Sequence, residues 1–273
     1  MFSTLILTLN EERALPDCLS SLGGCDDVVV LDSGSTDSTV GLAKAAGTRV
    51  YTRAFDTFAG QRNHAQRHIA FRHPWVFHLD ADERMTPELE QECRAAANRT
   101  DLDGFRAAPK MLFEGRWIPH CTDYPAFQAR FVRAPQFEFV QVGHGQRESP
   151  TMRVENLREG YLHDLSVYGR EAWLDKHRRY AQSEAAAVIG ASGGGPWGRL
   201  FSPDPLVRRR ALKRLSFGLP FRPTFRLLYQ YVLRRGFLDG AQGLRYCLLL
   251  ARYEGFISEE MARLRAPSPL DAR

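Results

Sequence analysis

The chain has 273 residues, 44% of them apolar and 25% charged, which suits one large globular domain, or one domain with an appendage, and excludes a disordered, collagenous or coiled-coil protein. The net charge of +5 is uneven: residues 206–273 hold 14 Arg/Lys against 5 Asp/Glu, a net +9, leaving −4 for the rest, and such a basic tail points to an anionic partner unless it only reflects a preference for Arg. Five cysteines without a Cys-x-x-Cys pair argue against a disulfide framework or zinc ribbon and fit a reducing compartment, and no run of 18 apolar residues offers a membrane-spanning helix.

Residues 2–9 are apolar and β-branched, meet Asn10-Glu11-Glu12 and lack a basic leader, so they read as a first strand rather than a signal peptide. Asn10 is placed to cap a helix carrying Leu15, Leu19 and Leu22, with Pro16 in an irregular first turn and Gly23-Gly24 as its stop. A second buried strand is expected over 27–32, a helix over 38–46 ended by Gly47, and a third strand over 48–51. A helix over 59–71 ends before Pro74, and 75–79 form a fourth strand that leads into Asp80-Ala81-Asp82-Glu83. Thr86 caps the next helix, with Pro87 at its first position. Such strand–helix alternation predicts a parallel α/β sheet covered on both faces.

Residues 103–165 change to short aromatic and Arg-containing runs, read as irregular strands and loops facing a substrate. Residues 169–190 read as helix, 191–196 as a linker, and the remainder as basic amphipathic helices. The expected division is therefore 1–190, with a nucleotide half at 1–100 and an acceptor half at 101–190, followed by a helical appendage at 197–273.

Parallel α/β sheets bind ligands beyond the carboxyl ends of their strands. Four polar clusters sit near such ends: Thr8-Leu9-Asn10-Glu11, Asp32 to Asp37, Gln61-Arg62-Asn63 and Asp80 to Glu83. The chain lacks Gly-x-Gly-x-x-Gly after the first strand and lacks a P-loop. In Asp80-Ala81-Asp82, one carboxylate can hold Mg²⁺ or Mn²⁺ while the other accepts from a ribose hydroxyl; the same pair can also be a solvated turn or a helix cap.

TLNEE, VVVLDSGSTDST, QRN and WVFHLDADERMTPEL, in order over about residues 4–90, resemble the inverting nucleotide-sugar glycosyltransferases of family 2, which have the GT-A fold. YVLRRGFLDGAQGLRYCLLLA near the end resembles the C-terminal signature of the bacterial lipopolysaccharide-core glucosyltransferase subgroup. The resemblance implies that Thr8, Asn10 and Glu11 line the nucleotide pocket. It gives Asp32 to the base or ribose, Arg62 and Asn63 to the nucleotide, Asp80 to the ribose and Asp82 to the metal. His163, followed by an aromatic turn and a helix with Lys176 and Tyr180, matches a late His that completes metal or diphosphate binding. Inversion needs a base for the acceptor hydroxyl. The subgroup's His-Glu pair is interrupted in Val142-Gly143-His144-Gly145-Gln146-Arg147-Glu148, which leaves His144 and Glu148 as candidates.

The resemblance thus implies a metal-dependent transfer of a hexose from a UDP-sugar to a lipid-linked or envelope glycan. The chain would act in the cytoplasm at the inner membrane face, with residues 206–252 against anionic lipid and no nucleic acid as partner. Two alternatives stay open. A sugar-nucleotide nucleotidyltransferase would want a Gly-rich phosphate loop after the first strand. A non-enzymatic membrane or nucleic-acid binder would leave the strand-end acids unused.

Overall fold

The computed structural model describes residues 1–142, 145–190, 196–217 and 220–265. Two compact units emerge: Met1–Trp117 with Asp123–Val167, and Ile118–Thr122 with the described residues from Tyr168 onward.

The first unit is an α/β fold around one seven-stranded sheet. In chain order its opening elements are β1 (Ser3–Thr8), α1 (Leu15–Ser20), β2 (Val28–Asp32), α2 (Thr39–Ala45), β3 (Arg49–Thr52), α3 (Phe58–His68) and β4 (Trp75–Asp80). There follow β5 (Glu83–Arg84), α4 (Pro87–Ala96), β6 (Gly104–Ala107), β7 (Lys110–Phe113), β8 (Arg116–Trp117), β9 (Gln128–Arg133), β10 (Phe139–Val142), β11 (Gly145–Glu148), β12 (Val154–Asn156) and β13 (Leu162–Asp164). The strand order is β12-β6-β9-β4-β1-β2-β3. The strands β4, β1, β2 and β3 run parallel, and β9 is antiparallel to both β4 and β6. The expected mostly parallel sheet is therefore present, with one reversed strand inside it.

Burial explains the strand sequences. All six residues of β1 are buried, as a strand covered on both faces requires. One side of the sheet is packed by Phe2, Ile6, Leu15, Phe77, Leu89 and Phe131, the other by Leu5, Leu7, Leu31, Ala65 and Val76. Thr86 Oγ1 accepts from Leu89 N at 3.2 Å with Pro87 just inside, so α4 starts as its sequence dictates. Pro16 sits in the first turn of α1, where its missing N–H costs nothing. Two expectations shift. Ala14, not Asn10, stands at the N-cap of α1, and α3 ends at His68, with Ile69 already extended.

The second unit contains α5 (Gly169–Gly190), a 3₁₀ turn at Pro196–Phe201, α6 (Pro205–Ser216), α7 (Arg222–Leu228), a wider turn at Tyr229–Leu233, a 3₁₀ turn at Gly236–Asp239 and α8 (Gly240–Arg265). The expected boundary at 190 differs from this division: α5 goes with the C-terminal helices, because Ala181 and Ala185 pack with Phe256, Ile257 and Met261 of α8. The short segment Ile118–Thr122 also belongs here. Its His120 and Cys121 N–H groups donate to Asp239 Oδ2 at 3.0 and 2.7 Å, and His120 Nδ1 lies 2.7 Å from Asp239 Oδ1. A Cβ on Gly236 would lie 2.8 Å from Cys121 Sγ, and one on Gly243 would lie 2.5 Å from Gly236 O, so only glycine fits. The C-terminal signature GFLDGAQG is thus the inner surface of this clasp. The expected linker residues 191–195 lie outside the described residues.

Candidate active site

The site is built where β1, β2 and β4 end. After β2, Asp32 is buried and all four of its acceptor positions are filled from within the chain. Oδ1 accepts from Thr8 Oγ1 at 2.9 Å and Ser35 Oγ at 2.5 Å, and Oδ2 from the N–H groups of Gly34 and Ser35 at 2.9 and 2.8 Å. Burial alone would raise its pKa, but these donors together hold it below the ordinary carboxylate range. Asp32 and Thr8 therefore shape the loop, with Gly34 at φ +98° as its left-handed turn. Both oxygens of Asp32, the residue expected against base or ribose, accept from within the chain.

Asn10 ties the first loop to the second. It takes φ +56°, which Asn tolerates, and its Oδ1 accepts from Thr36 N at 2.8 Å while its own N–H donates to Ser35 Oγ at 2.8 Å. Glu11 N donates to Thr39 Oγ1 at 2.8 Å, so the backbone of Glu11 is fixed against the start of α2. Thr8, Asn10 and Glu11 are thus brought together with the 32–39 loop.

On α3, Gln61 and Arg62 point inward. Asn63 makes a two-way amide clasp with Phe139, donating from Nδ2 to its carbonyl at 2.8 Å and accepting its N–H at 2.9 Å. Asn63, expected at the nucleotide, pins β10 through this clasp. Arg62 is 1% exposed, and its Nη2 donates to Asp80 Oδ1 at 2.8 Å. Its Nε and Nη1 are buried without an acceptor among the described residues.

The turn after β4 holds the densest charge. Arg130, from the centre of β9, donates from Nη2 to Glu83 Oε1 at 2.7 Å and Asp80 Oδ2 at 3.1 Å, and from Nη1 to His78 O at 3.2 Å. Its guanidinium stacks over Tyr161, 4.9 Å from the ring centre. Glu83 Oε2 in turn accepts the N–H of Asp80 at 2.8 Å, which closes the turn. The antiparallel pairing of β13 with β5 sets His163 opposite Glu83, and His163 Nε2 lies 3.3 Å from Asp82 Oδ2. Burial would raise Asp80, yet Arg130 and Arg62 hold it far below the usual carboxylate range. Burial raises Glu83 above the ordinary carboxylate range, against the pull of Arg130. Burial would lower His163, but the hydrogen bond and charge of Asp82, with the charge of Glu83, push it up to about 9.

Arg62, Asp80, Asp82 and His163 are thus brought into one cluster. Glu83, named in the sequence only as part of the Asp80–Glu83 run, completes it together with Arg130 and Tyr161, which were not singled out. The available signal was an Arg inside the apolar run ARFV, since a charge in a buried strand needs a buried partner. Among the described residues, no group of three or more His, Cys, Asp or Glu could alone hold a metal. Asp82 and His163 offer two donors, one hard and one borderline, each about a quarter exposed, which suits a cation that takes its other ligands from phosphate and water.

Of the two base candidates, Glu148 lies on β11 and its Oε1 accepts from both Arg106 Nε, at 2.7 Å, and Arg106 Nη2. Burial would raise its pKa, but the Arg106 hydrogen bonds lower it. Among the described residues, no hydrogen bond or ion pair joins Glu148 to the Asp80–His163 cluster. His144 lies outside the described residues.

Residues 3–134 match the glycosyl transferase family 2. The lipopolysaccharide core biosynthesis glycosyltransferase LpsC of Rhizobium meliloti is 37% identical over 121 residues, 41% of this chain and 43% of that protein. A TPR repeat-containing protein of Synechococcus elongatus is 33% identical over 88% of this chain and 63% of its own length. The Staphylococcus aureus TarS 1–349 structure in complex with UDP-GlcNAc is 16% identical, covers 97% of this chain and 91% of that one, and has a TM-score of 0.47. The chain spans less than half the length of LpsC. Residues 3–134, a little under half of the chain, are thus similar to glycosyl transferase family 2.

Proposed function

We propose that the chain is an inverting, metal-dependent glycosyltransferase that moves a hexose from a UDP-sugar to a lipid-linked or envelope glycan. The observation that carries this reading is the Asp80–Asp82–His163 turn, fixed from beneath by Arg62 and Arg130 at the carboxyl end of a central parallel strand. In this reading Asp80, kept ionised by the two arginines, accepts from the ribose, and the loop walls around Asn10 and Glu11 take the base. Asp82 and His163 hold Mg²⁺ or Mn²⁺, which when bound offsets the charge of the departing diphosphate. Arg62 adds fixed positive charge that needs no reorganisation during the reaction.

The base for the acceptor hydroxyl comes from the segment His144–Glu148. Glu148 suits the part in one respect: Arg106 keeps it ionised, ready to accept a proton, at neutral pH. The lipid-linked acceptor agrees with an attachment of residues 206–252 to the inner membrane face.

A melting-temperature screen of nucleoside diphosphates and UDP-sugars, each with and without Mn²⁺, tests the reading. A UDP-sugar that stabilises the chain only when Mn²⁺ is present is the expected result. Stabilisation by no UDP compound at millimolar concentration would overturn it.

A further inference from the structure

We infer that the helical stretch Phe221–Leu233 is a lipid-contact surface that seats the chain on an anionic bilayer, an inference that rests on the lipid-linked acceptor proposed above. The seven-residue α7 runs directly into the wider turn Tyr229–Leu233. Phe225, Leu228, Tyr229 and Val232, spaced by three and four, share one face, with Phe221 and Leu233 at its two ends. All six are exposed, Phe221 by 78% and Leu233 by 74%.

The two buried residues of the same stretch are polar. Arg222 and Gln230 are 6% and 2% exposed. Arg222 Nη2 lies 2.7 Å from Glu254 Oε2 of α8, and its guanidinium sits 3.7 Å from the Phe217 ring centre. Gln230 Nε2 donates to Cys121 O. A helix on a water-facing surface buries its apolar stripe and exposes its polar one. Here the order is reversed, so water is not the solvent this face suits. An exposed phenylalanine held at φ +55°, Phe221, marks the start of the stripe, and Arg235 at φ +61° follows its end.

Charge selects the occupant. Residues 205–253 contain eleven Lys/Arg and a single acid, Asp239. Asp239 is buried and occupied by His120 and Cys121. An apolar face set in an almost purely cationic segment repels a second copy of itself and attracts a sheet of anionic headgroups. No described helix is long and apolar enough to cross a membrane, so the contact lies in the interface, where Phe, Tyr and Leu insert and Arg meets phosphate.

Co-sedimentation of the full chain with vesicles decides it. The wild-type chain should bind vesicles of phosphatidylglycerol and phosphatidylethanolamine, and bind phosphatidylcholine vesicles at least about tenfold more weakly. The triple variant Phe225→Ser/Leu228→Ser/Val232→Ser should lose binding by about tenfold or more while keeping its far-UV spectrum and its UDP-dependent melting shift. Should that variant unfold, Phe221→Ser/Leu233→Ser, altered only at the two ends, takes its place with the same expectation. Absence of wild-type binding to the anionic vesicles at low salt overturns the inference, and so does undiminished binding by a folded variant. A wild-type dimer in light scattering that the variant dissolves, without vesicle binding, would reassign the face to a second copy. Vesicle binding without any UDP-dependent shift would instead sink the transferase reading and leave this surface standing.

Discussion

Arg130 and Glu83 form an ion pair with both side chains buried, Nη2 to Oε1 at 2.7 Å, and Arg130 shares the same nitrogen with Asp80. The pair fixes the backbone of the turn from which Asp82 projects, because Glu83 also holds the Asp80 N–H. Removing one partner leaves a charge in the core. Arg130→Met should therefore destabilise the chain by about 3–5 kcal/mol. Arg130→Met/Glu83→Gln should recover a large part of that loss. Urea unfolding of the four chains of this cycle measures both effects, and a single variant within about 0.5 kcal/mol of wild type would show that the pair is not a structural support.

Asp82 makes a lesser structural contribution than its neighbours. Its carboxylate is a quarter exposed and its side-chain partner is His163. Asp82→Asn should leave the melting temperature without ligand nearly unchanged. It should weaken Mn²⁺-dependent UDP binding by at least about tenfold, as loss of a carboxylate ligand does. Calorimetric titration of UDP with and without Mn²⁺ reads this directly. Equal UDP affinity of wild type and variant in Mn²⁺ would remove Asp82 from the metal site.

Much of this arrangement was legible in the chain, and the reason is locality. β1, β2 and β4 announce themselves as apolar runs, the last two ending in Asp32 and Asp80, the Thr86-Pro87 start of α4 is local chemistry, and α5 spans the residues its pattern predicts. The readings that moved all depend on distant partners. The clasp of Asn63 to Phe139, 76 residues on, has no local signature. Arg130 reaches the β4 turn only because β9 pairs antiparallel beside it. Periodicity identifies the amphipathic character of α7, but not that its apolar side faces outward, since the same pattern serves a helix packed either way.

Asp27, at the entrance to β2, should govern acid stability. It is 2% exposed and accepts from Ser3 Oγ at 2.5 Å, Arg72 N at 2.8 Å and Arg49 Nη2 at 2.7 Å. Burial alone would raise its pKa, but these donors bring it below the ordinary carboxylate value. The unfolded chain thus binds a proton more readily than the folded one. The stabilisation is complete above the unfolded pKa of about 3.9 and is lost as pH falls through the lower folded value. Asp27→Asn should lower stability at pH 7 and flatten its decline in acid, measured by urea midpoints across pH. A variant with the wild-type slope would assign that decline to other carboxylates.

Gly243→Ala tests the clasp of the second unit. The new methyl would stand 2.5 Å from the backbone oxygen of Gly236 and 3.1 Å from Cys121 Sγ, both in buried positions. Neither is the free end of a flexible chain, so the strain should cost about 1–3 kcal/mol. Limited proteolysis should then open the segment after residue 236 sooner than in wild type, whereas Gly41→Ala, with open space around it, should have no such effect.

The base assignment turns on Glu148 and Arg106. If Glu148 takes the acceptor proton, Glu148→Gln should reduce turnover by about 10²-fold or more and leave UDP affinity near wild type, because loss of a base acts on the chemical step. The ion pair makes a second expectation. A base must be deprotonated, so activity falls as pH drops through its pKa, and the Arg106 hydrogen bonds set that pKa below an ordinary glutamate. Arg106→Met removes them and should move the acid limb of turnover upward in pH while preserving activity at pH 8. If Glu148 only braces β11 against β6, Glu148→Gln and Arg106→Met should instead lower stability by similar amounts with little change in turnover. The base would then be His144, and His144→Gln should carry the loss of turnover in its place.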